Sequence, residues 1–380
     1  MSGPTSQRGA PRQDGPPRTR PATGHGVAER APFAADLATG YFACVMATGI
    51  VSIALLLHGD EGVSRLFFIL AGALYAVLIV LYLYRAWAFP RRVWADLTDA
   101  RAVFGYFTFV AGTDVLGTRV ALARQEQIAL GLGLVSVVCW AVLSYGVLGV
   151  LLFYNREPIE RVIDGSWLLT TVSCASLAVL ASTLADAGPQ DRLWLLFGAY
   201  AFWALGVLLY LIVITLILYR FFFLPLTTGD LGPPTWLTMG ATAITTLAGS
   251  HLVLYSHATP FLLGMRPFVL GVTLLLWVWG SWWIPFLVLL DLWTYGVVRD
   301  YLTYDPALWS IVFPLGMYTV ACETMGRIDG LHIVQGLVTP FLGIALAAWC
   351  AVAALFLWRW VWPRWPRRVG GQEHLERHPG

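Results

Sequence analysis

Three ionisable residues lie inside long apolar stretches of the sequence. Asp114 occurs in FTFVAGTDVLGT, His251 in TTLAGSHLVLY and Glu323 in MYTVACETMG. Burying an ionised side chain among apolar residues is costly, so residues of this kind usually mark an ion path, a proton site or a binding site. Asp114, His251 and Glu323 are therefore candidates for the functional chemistry of this chain.

Each of the three residues also has a purely structural interpretation. Glu323 precedes Arg327 by four residues, which is the spacing of an ordinary ion pair on one helix face. Asp114 could be hydrated near the outer end of its segment or could pair with Arg119. His251 could be a packing residue whose ring is satisfied by a neighbour. The sequence leaves both interpretations open for all three residues.

A further candidate is the segment LWSIVFPLGMYTV, residues 308–320, which is apolar almost throughout. Phe313 stands directly before Pro314, and Gly316 follows two residues later. Proline removes a backbone donor and clashes with the preceding helical turn, so it breaks or kinks a helix. The segment therefore combines a bulky ring, a bend and a small residue at one place.

Helical spacing relates Phe313 to residues later in the same segment. Gly316, Val320 and either Glu323 or Thr324 lie near the face that carries Phe313. If Phe313 faces an internal path, Glu323 would border the outer vestibule of that path.

The composition places these residues in a membrane protein. Of 380 residues, 58% are hydrophobic, 14% are aromatic and only 12% are charged, and the mean hydropathy is +0.69. Soluble domains carry about 25% charged residues. Such a chain has too little polar surface for a water-soluble protein. We expect an integral membrane protein that contacts the lipid bilayer and binds no nucleic acid.

The sequence contains none of the common motifs of enzymes and metal sites. It has no HExxH, GxSxG, paired-Asp or P-loop pattern, so we expect no enzyme. Its five cysteines lie in apolar segments without CxxC or Cys/His spacing, which predicts buried free thiols, no metal site and no cofactor. A sensor or scaffold is also disfavoured, because the sequence offers no sizeable soluble domain.

Ten segments are apolar and long enough to span a bilayer, which needs about 20 residues per helix. Short loops join them, so we expect ten up-and-down helices, grouped as five hairpins, in a transmembrane domain of residues 35–362. Residues 1–34 and 363–380 are polar and are expected to be cytoplasmic tails, the first of them disordered. The predicted spans are 37–57, 64–84, 100–118, 127–153, 165–185, 193–219, 234–255, 268–290, 307–325 and 335–361.

The arginines indicate the orientation of these spans. With both tails in the cytoplasm, 18 arginines fall on the inside and 6 on the outside, which agrees with the positive-inside rule. Without the tails the counts are 8 and 6, so the internal loops alone decide little. We expect a multi-pass protein of the cell membrane with both termini cytoplasmic.

The predicted helices alternate in composition. The first, third, fifth and seventh are rich in Gly, Ser and Thr, as in ATGIVS, VAGTDVLGT, TTVSCAS and ATAITTLAGS. Most even-numbered helices are more apolar and aromatic, although the fourth also contains glycines and serines. Small residues let helices approach closely, and hydroxyls bond between helices. The alternation predicts odd-numbered helices inside and even-numbered helices facing lipid, unless the small residues only mark tight packing.

Two of these stretches resemble a known family. YFACVMATGIVSIA, residues 41–54, and WSIVFPLGMYTV, residues 309–320, are similar to the first and ninth helices of the tellurite-resistance/C4-dicarboxylate transporter family. That family also contains plant slow anion channels, fungal malate permeases and yeast sulfite efflux pumps. The resemblance covers about residues 37–362 and excludes both tails.

The resemblance implies an architecture and a site. It implies five helical hairpins around a quasi-fivefold axis, odd-numbered helices around a central pore, and homotrimers with one pore in each protomer. Through the FP pair it implies that Phe313 plugs the pore, that Pro314 bends the helix and that Gly316 leaves room for the ring to swing. Pore-facing hydroxyls would give an anion weak, passing contacts. The candidates are Thr48, Ser52, Thr108, Thr113, Thr170, Ser173, Thr242, Thr245 and Thr246.

The expected function is the transport of small anions, with chloride, sulfite or a C4 dicarboxylate such as malate as candidates. The alternatives are a proton-coupled carboxylate carrier and an efflux protein linked to tellurite resistance. Uncompensated carboxylates in a pore favour cations over anions. Asp114 and Glu323 would therefore need either neutralisation by Arg119 and Arg327 or a bound proton.

Overall fold

The computed structural model describes most of the chain, namely residues 33–187, 193–226, 231–297 and 304–361. These residues are helical and contain no β-strand, as the sequence predicts. Almost all of the two predicted tails, 1–34 and 363–380, lies outside the described residues. The described part begins with a 3-10 turn at Phe33–Asp36.

Within the described residues the chain forms ten helices of 16 residues or more and two short helices. In chain order they are α1 (Ala43–His58), α2 (Glu61–Ala88), α3 (Pro90–Thr98), α4 (Phe107–Leu122), α5 (Glu126–Gly149), α6 (Ile159–Val162), α7 (Leu169–Ala187), α8 (Leu193–Phe223), α9 (Leu237–Leu254), α10 (Pro260–Asp291), α11 (Trp309–Met325) and α12 (Val338–Val361).

Seven helices of the described part, with their flanking turns, are long and apolar enough to cross a membrane: α2, α5, α7, α8, α9, α10 and α12. Helices α1, α4 and α11 have only 16, 16 and 17 residues. A full crossing needs about 20 residues. The chain is thus an all-helical membrane protein, and the count of ten spans stays a prediction.

Five of the long helices form a closed ring. α1 contacts α4, α4 contacts α7, α7 contacts α9, α9 contacts α11, and α11 contacts α1. Helices α2, α5, α8, α10 and α12 pack outside this ring, each mainly against the inner helix that precedes it. The most apolar stretches of α7 and α9 are 83% and 89% buried, against 17% to 33% for the five outer helices.

Glycines allow the inner helices to approach their neighbours. A Cβ atom on Gly249 of α9 would lie 2.1 Å from Oγ1 of Thr273 on α10. A Cβ on Gly240 of α9 would lie 2.6 Å from Cγ of Pro314 on α11. Contacts this short leave no space for a side chain, so glycine sets the spacing of the helices here.

A 3-10 turn directly precedes four of the inner helices, α4, α7, α9 and α11. Asp305, for example, caps its turn by accepting a hydrogen bond from the backbone N–H of Ala307 (2.7 Å). The turns are apolar, which is why the sequence-based spans start several residues before the helices. They are Val103–Tyr106, Gly165–Leu168, Pro233–Trp236 and Pro306–Leu308.

Helix α10 begins eight residues earlier than the predicted span 268–290. Thr259 caps it by accepting a hydrogen bond from the backbone N–H of Leu262 (3.2 Å), and Pro260 suits the first helical position. The prediction started after Pro267, but the helix continues through that residue. Pro267 and Pro285 both lie inside α10 without ending it.

The short helix α3 lies in a segment that the sequence analysis assigned to a loop. Arg85, buried near the end of α2, pairs with Asp96 of α3 (2.6 Å) and donates a hydrogen bond to the carbonyl oxygen of Ala35 (3.4 Å). These contacts hold both α3 and the turn Phe33–Asp36 against the C-terminal end of α2.

Candidate functional site on the ring axis

A cavity of about 180 Å³ lies inside the ring of inner helices, and all five contribute to its wall. The apolar wall residues are Ile50, Ile53, Leu57, Val115, Leu122, Val179, Ile244, Leu247, Leu254, Met317 and Val320. The polar wall residues are Thr118, Ser176, Thr183, Asp186, His251, Tyr255, Thr324 and Arg327.

The wall residues follow helical spacing on each inner helix. On α11, for example, they are Met317, Val320, Thr324 and, just past its end, Arg327. Residues three or four apart share one face of a helix. On every inner helix the wall residues begin near the middle of the helix and continue towards or just past its C-terminal end, so the five helices run in the same direction. The cavity therefore occupies one half of the ring.

Helical spacing identifies the residues that lie one turn deeper than the cavity wall. The wall residues nearest to them are Ile50, Val115, Ser176, Ile244 and Met317. Four residues before each of these, on the same helix faces, are Met46, Ala111, Val172, Gly240 and Phe313. We call these five residues the apolar layer. All five are buried, and Phe313 is its only aromatic side chain.

The neighbours of Phe313 indicate the direction in which it points. Pro314 packs against Gly240 of α9, where an added Cβ would lie 2.6 Å from the proline Cγ. Gly316 packs against Ile50 of α1, whose Cγ2 would lie 2.8 Å from a Cβ on the glycine. Successive residues are about 100° apart around a helix, so Phe313 lies between these two directions, as expected for a side chain directed at the ring axis.

The free space predicted at Gly316 is not present. A Cβ at this position would collide with Ile50, so the glycine lets α11 approach α1 closely. Helix α11 also runs without interruption from Trp309 to Met325, through Pro314. Phe313 is thus a buried side chain flanked by two close helix contacts, that of Pro314 with α9 and that of Gly316 with α1.

Four of the nine predicted pore-lining hydroxyls contact outer helices instead. Thr48 accepts a hydrogen bond from Nε1 of Trp349 on α12 (3.1 Å), and Thr113 shares one with the hydroxyl of Tyr75 on α2 (3.0 Å). The same holds for Ser52, bonded to α2, and for Thr242, packed against α10. These four join the outer helices to the ring, and none lies in the cavity wall.

The other five predicted hydroxyls are also absent from the cavity wall: Thr108, Thr170, Ser173, Thr245 and Thr246. Thr108 stands seven residues before Val115, on the face of α4 that continues beyond the apolar layer. Thr108 and Thr170 stay predictions for the half of the ring beyond that layer. Ser173 is level with the layer, and Thr245 and Thr246 are level with the cavity but outside its wall. The hydroxyls of Thr118, Ser176 and Thr183, which do line the cavity, are absent from the predicted set, whereas Thr324 lies in the wall as one of the two residues expected near the face of Phe313.

Asp114 is fully buried halfway along α4, directly behind the cavity wall. Its Oδ2 accepts a hydrogen bond from Oγ of Ser176 (2.6 Å), and its Oδ1 has no hydrogen-bond partner among the described residues. Ser136 lies close by, but its hydroxyl donates to the carbonyl oxygen of Val110 (3.3 Å). The prediction of a hydrated Asp114 near the outer surface is therefore wrong.

Arg119, the other predicted partner of Asp114, is bound elsewhere. Its guanidinium donates to Oγ of Ser52 (3.0 Å) and to Oγ of Ser64 (3.2 Å), and it lies over the ring of Phe68 (4.7 Å). These contacts join α4 to α1 and α2. Among the hydrogen bonds and ion pairs of the described residues, none links Asp114 to a basic group, so the alternative in which Asp114 pairs with Arg119 is wrong.

His251 lies in the wall near the cavity mouth. Its Nδ1 is 3.0 Å from Oγ of Ser182, and its ring meets the ring of Tyr255 edge-on, with 5.7 Å between centroids. Tyr255 hydrogen-bonds to Asp186, and burial raises the pKa of its phenol. The histidine is thus both a packed residue and part of the wall.

Glu323 lies beside the mouth rather than in the wall. Its Oε1 accepts hydrogen bonds from Nη2 (3.0 Å) and Nε (3.3 Å) of Arg327, which is the ion pair expected from their spacing. Arg327 also lines the cavity. The mouth therefore carries one guanidinium together with the carboxylates of Glu323 and Asp186.

A model of the voltage-dependent anion channel family, SLAC1, matches residues 36–357. This range holds the ring of inner helices, the cavity and the apolar layer. The chain belongs to the voltage-dependent anion channel family. The family resemblance read from the two sequence motifs is thereby confirmed.

Two relatives extend this finding. An uncharacterized membrane protein of Mycobacterium tuberculosis is 43% identical over 142 residues, which cover 37% of this chain and 71% of that protein. An uncharacterized transporter of Methanocaldococcus jannaschii is 24% identical over 313 residues, which cover 78% of this chain and 87% of that protein. As a member of the voltage-dependent anion channel family, the chain is a membrane protein of a transporter and channel class, in line with the expectation of no enzyme.

Proposed function

We propose that the protein moves small anions across the cell membrane along the axis of the inner ring, and that Phe313 gates this path. The observation that carries the proposal is the cavity on the ring axis, which ends at the apolar layer. An ion entering this layer loses hydration water and gains no polar contact, so the layer is a barrier until the ring of Phe313 moves.

The polar groups of the cavity wall suit loose contacts with an anion. The wall carries five hydroxyls, on Thr118, Ser176, Thr183, Tyr255 and Thr324, and the guanidinium of Arg327, all of which can donate hydrogen bonds. Arg327 is already paired with Glu323. The wall therefore cannot bind both carboxylate groups of a dicarboxylate strongly at the same time. Chloride, sulfite and malate are the anions to compare.

In this proposal all ten long helices cross the membrane as five hairpins, with the inner ring around the pore. The 3-10 turns before α4 and α11 lengthen these two short helices towards a full crossing. With both tails in the cytoplasm, as the arginine distribution favours, the C-terminal ends of the inner helices and the cavity mouth face outward.

We further propose a homotrimer with a separate pore in each protomer, which is the assembly that the family resemblance implies. Mass measurement of the detergent-solubilised protein, by light scattering with the detergent contribution subtracted, tests this assembly. A mass of three chains is expected, and a mass of one or two chains would contradict it.

Anion flux into liposomes tests the function itself. Purified protein is reconstituted into vesicles, and the uptake of chloride, sulfite and malate is compared with protein-free vesicles. The proposal expects at least one of the three to move faster with protein. Uptake equal to that of protein-free vesicles for all three anions would contradict it.

A proton-coupled carrier is the second candidate function, and the buried carboxylate of Asp114 favours it. A carrier of this kind accumulates its anion against a gradient only while a pH gradient exists. A protonophore therefore abolishes accumulation by a carrier but leaves the downhill flux through a channel. Flux that resists the protonophore would reject the carrier.

A further inference from the structure

Asp114 is an acid inside the ring without a neighbouring cation. It is fully buried on α4, and the helices packed against it contribute only uncharged groups nearby. The titratable ones are Tyr75 of α2, Cys139 of α5, which lies beside Tyr75, and Cys174 of α7. Neither α1 nor the basic residues of the described part bond to it. An isolated ionised carboxylate at such a place is costly, and a bound proton removes the cost.

The hydroxyl of Ser176 connects Asp114 to the cavity. It lies in the cavity wall, and its Oγ is 2.6 Å from Oδ2 of Asp114 and 2.9 Å from the carbonyl oxygen of Ser173. A serine hydroxyl has one hydrogen and two acceptor lone pairs, so it cannot donate to both partners at once. The direction of the Asp114–Ser176 bond therefore depends on whether Asp114 carries a proton.

The two protonation states leave different groups available to an anion in the cavity. When Asp114 is ionised, its carboxylate accepts the hydrogen bond of the Ser176 hydroxyl. The carboxylate also places a negative charge behind the cavity wall. When Asp114 is protonated, it donates to Oγ of Ser176, and the serine hydrogen can then bond either to the carbonyl oxygen of Ser173 or to an anion in the cavity. Protonation thus removes a repulsive charge and supplies a donor at the same place.

We propose that Asp114 is a proton-binding site that controls anion binding in the cavity through the hydroxyl of Ser176. This inference rests on the proposed function, because it concerns the same path. Binding of an anion favours the protonated acid, and by linkage the proton favours the anion. A proton taken up from solution offsets the charge of the incoming anion, so anion flux falls as the pH rises and Asp114 ionises.

The test compares Asp114→Asn with the unchanged protein in liposomes, with chloride, sulfite and malate as probes in acidic and alkaline buffer. Asparagine is neutral, and its amide can donate to Ser176 as the protonated acid does. The variant should keep the flux of the acidic condition at both pH values, so that the ratio of the two fluxes falls to about one. The unchanged protein should lose flux in the alkaline buffer.

Two further variants separate this role from a general effect on folding. Asp60→Asn changes an exposed acid in the turn between α1 and α2, and it should keep the pH dependence of the unchanged protein. Ser176→Ala removes the hydroxyl but leaves the acid, so it should lower flux in acidic buffer and weaken the pH dependence. The elution volume of each purified variant on size exclusion reports its folding.

A second readout does not depend on transport. The infrared band of a protonated carboxylic acid should be present in the unchanged protein in neutral buffer and absent in Asp114→Asn. Loss of this band in the variant supports the proton site, and an unchanged band overturns it. Flux with an unaltered pH dependence in Asp114→Asn overturns the coupling, whereas absence of flux for all three anions contradicts the proposed function itself.

Discussion

At the scale of single residues, the polar groups around the cavity differ in how well they are satisfied. Glu323 and Arg327 form a complete ion pair at the mouth, with side chains 20% and 47% exposed. Asp114 has one oxygen without a partner, in the part of the chain that the structure describes. We therefore expect Asp114, rather than Glu323, to bind the proton that affects anion flux.

The first prediction concerns the ion pair at the mouth. Glu323→Gln should lower the free energy of unfolding by less than about 1 kcal/mol, because water screens a partly exposed pair of this kind. It should also leave the pH dependence of flux unchanged. Thermal unfolding in detergent and flux at two pH values provide the measurements. Loss of the pH dependence in this variant would make Glu323 the proton site and contradict the assignment to Asp114.

Residue type and helical spacing predicted only part of the candidate site. On α11, counting from Phe313 places Val320 and either Glu323 or Thr324 near its face, and of these Val320 and Thr324 line the cavity. The other inner helices offer no such reference residue. All faces of these helices carry apolar or small side chains. The sequence therefore does not separate the serines and threonines that face the cavity from those that bond to the outer helices. Thr48 and Thr113 were misassigned for this reason.

At the scale of helices, the contact between α9 and α11 is set by Gly240 and Pro314. Gly240→Ala should destabilise the protein by about 1–3 kcal/mol, because its Cβ would lie 2.6 Å from Cγ of Pro314 and α11 would have to move. Since Phe313 precedes Pro314, this movement should also change the flux. Thermal unfolding and liposome flux of the same preparation provide the measurements.

Gly343→Ala is the matched control for this prediction. It lies on the exposed side of α12, where an added Cβ meets no heavy atom within 4 Å. Alanine is favoured over glycine in a helix by about 1 kcal/mol, so this variant should be at least as stable as the unchanged protein. Equal stability of the two variants would contradict the close α9–α11 contact.

Helix existence was predictable, because long apolar runs leave few alternatives in a membrane protein. The first and last residues of the helices were less predictable. The turns Val103–Tyr106 and Pro306–Leu308 are as apolar as the helices that follow, and composition does not separate a 3-10 turn from a helix. Helix α10 begins eight residues before its predicted start and continues through Pro267.

At the scale of the whole molecule, the proposed topology places the α1–α2 turn and the α5–α6 loop on opposite sides of the membrane. Single cysteines at Asp60 and Arg156, both exposed, test this in a background without the five native cysteines. A membrane-impermeant thiol reagent added outside intact cells should label position 60 and not position 156. Labelling of both from the same side would contradict the ten-span topology. Position 230, in a loop predicted to be cytoplasmic, lies outside the described residues.

The central claim is that Phe313 closes a path on the axis of the ring, and Phe313→Ala tests it directly. Removing the ring opens the apolar layer, and a barrier lower by about 1.4 kcal/mol raises a rate about tenfold. The variant should therefore carry an anion into liposomes about ten times faster or more. The truncation is also expected to cost about 3 kcal/mol or more of stability, so elution on size exclusion must first show a folded protein.

Phe104→Ala is the control that separates a gate from a loosened fold. Phe104 is 2% exposed and stacks on Trp167 at 4.5 Å between centroids, in the turn before α4. Its truncation should lower stability without raising flux. The measurement is thus liposome anion flux of Phe313→Ala beside Phe104→Ala. The account predicts a gain for Phe313→Ala alone, and flux at or below that of the unchanged protein in a folded Phe313→Ala would contradict it.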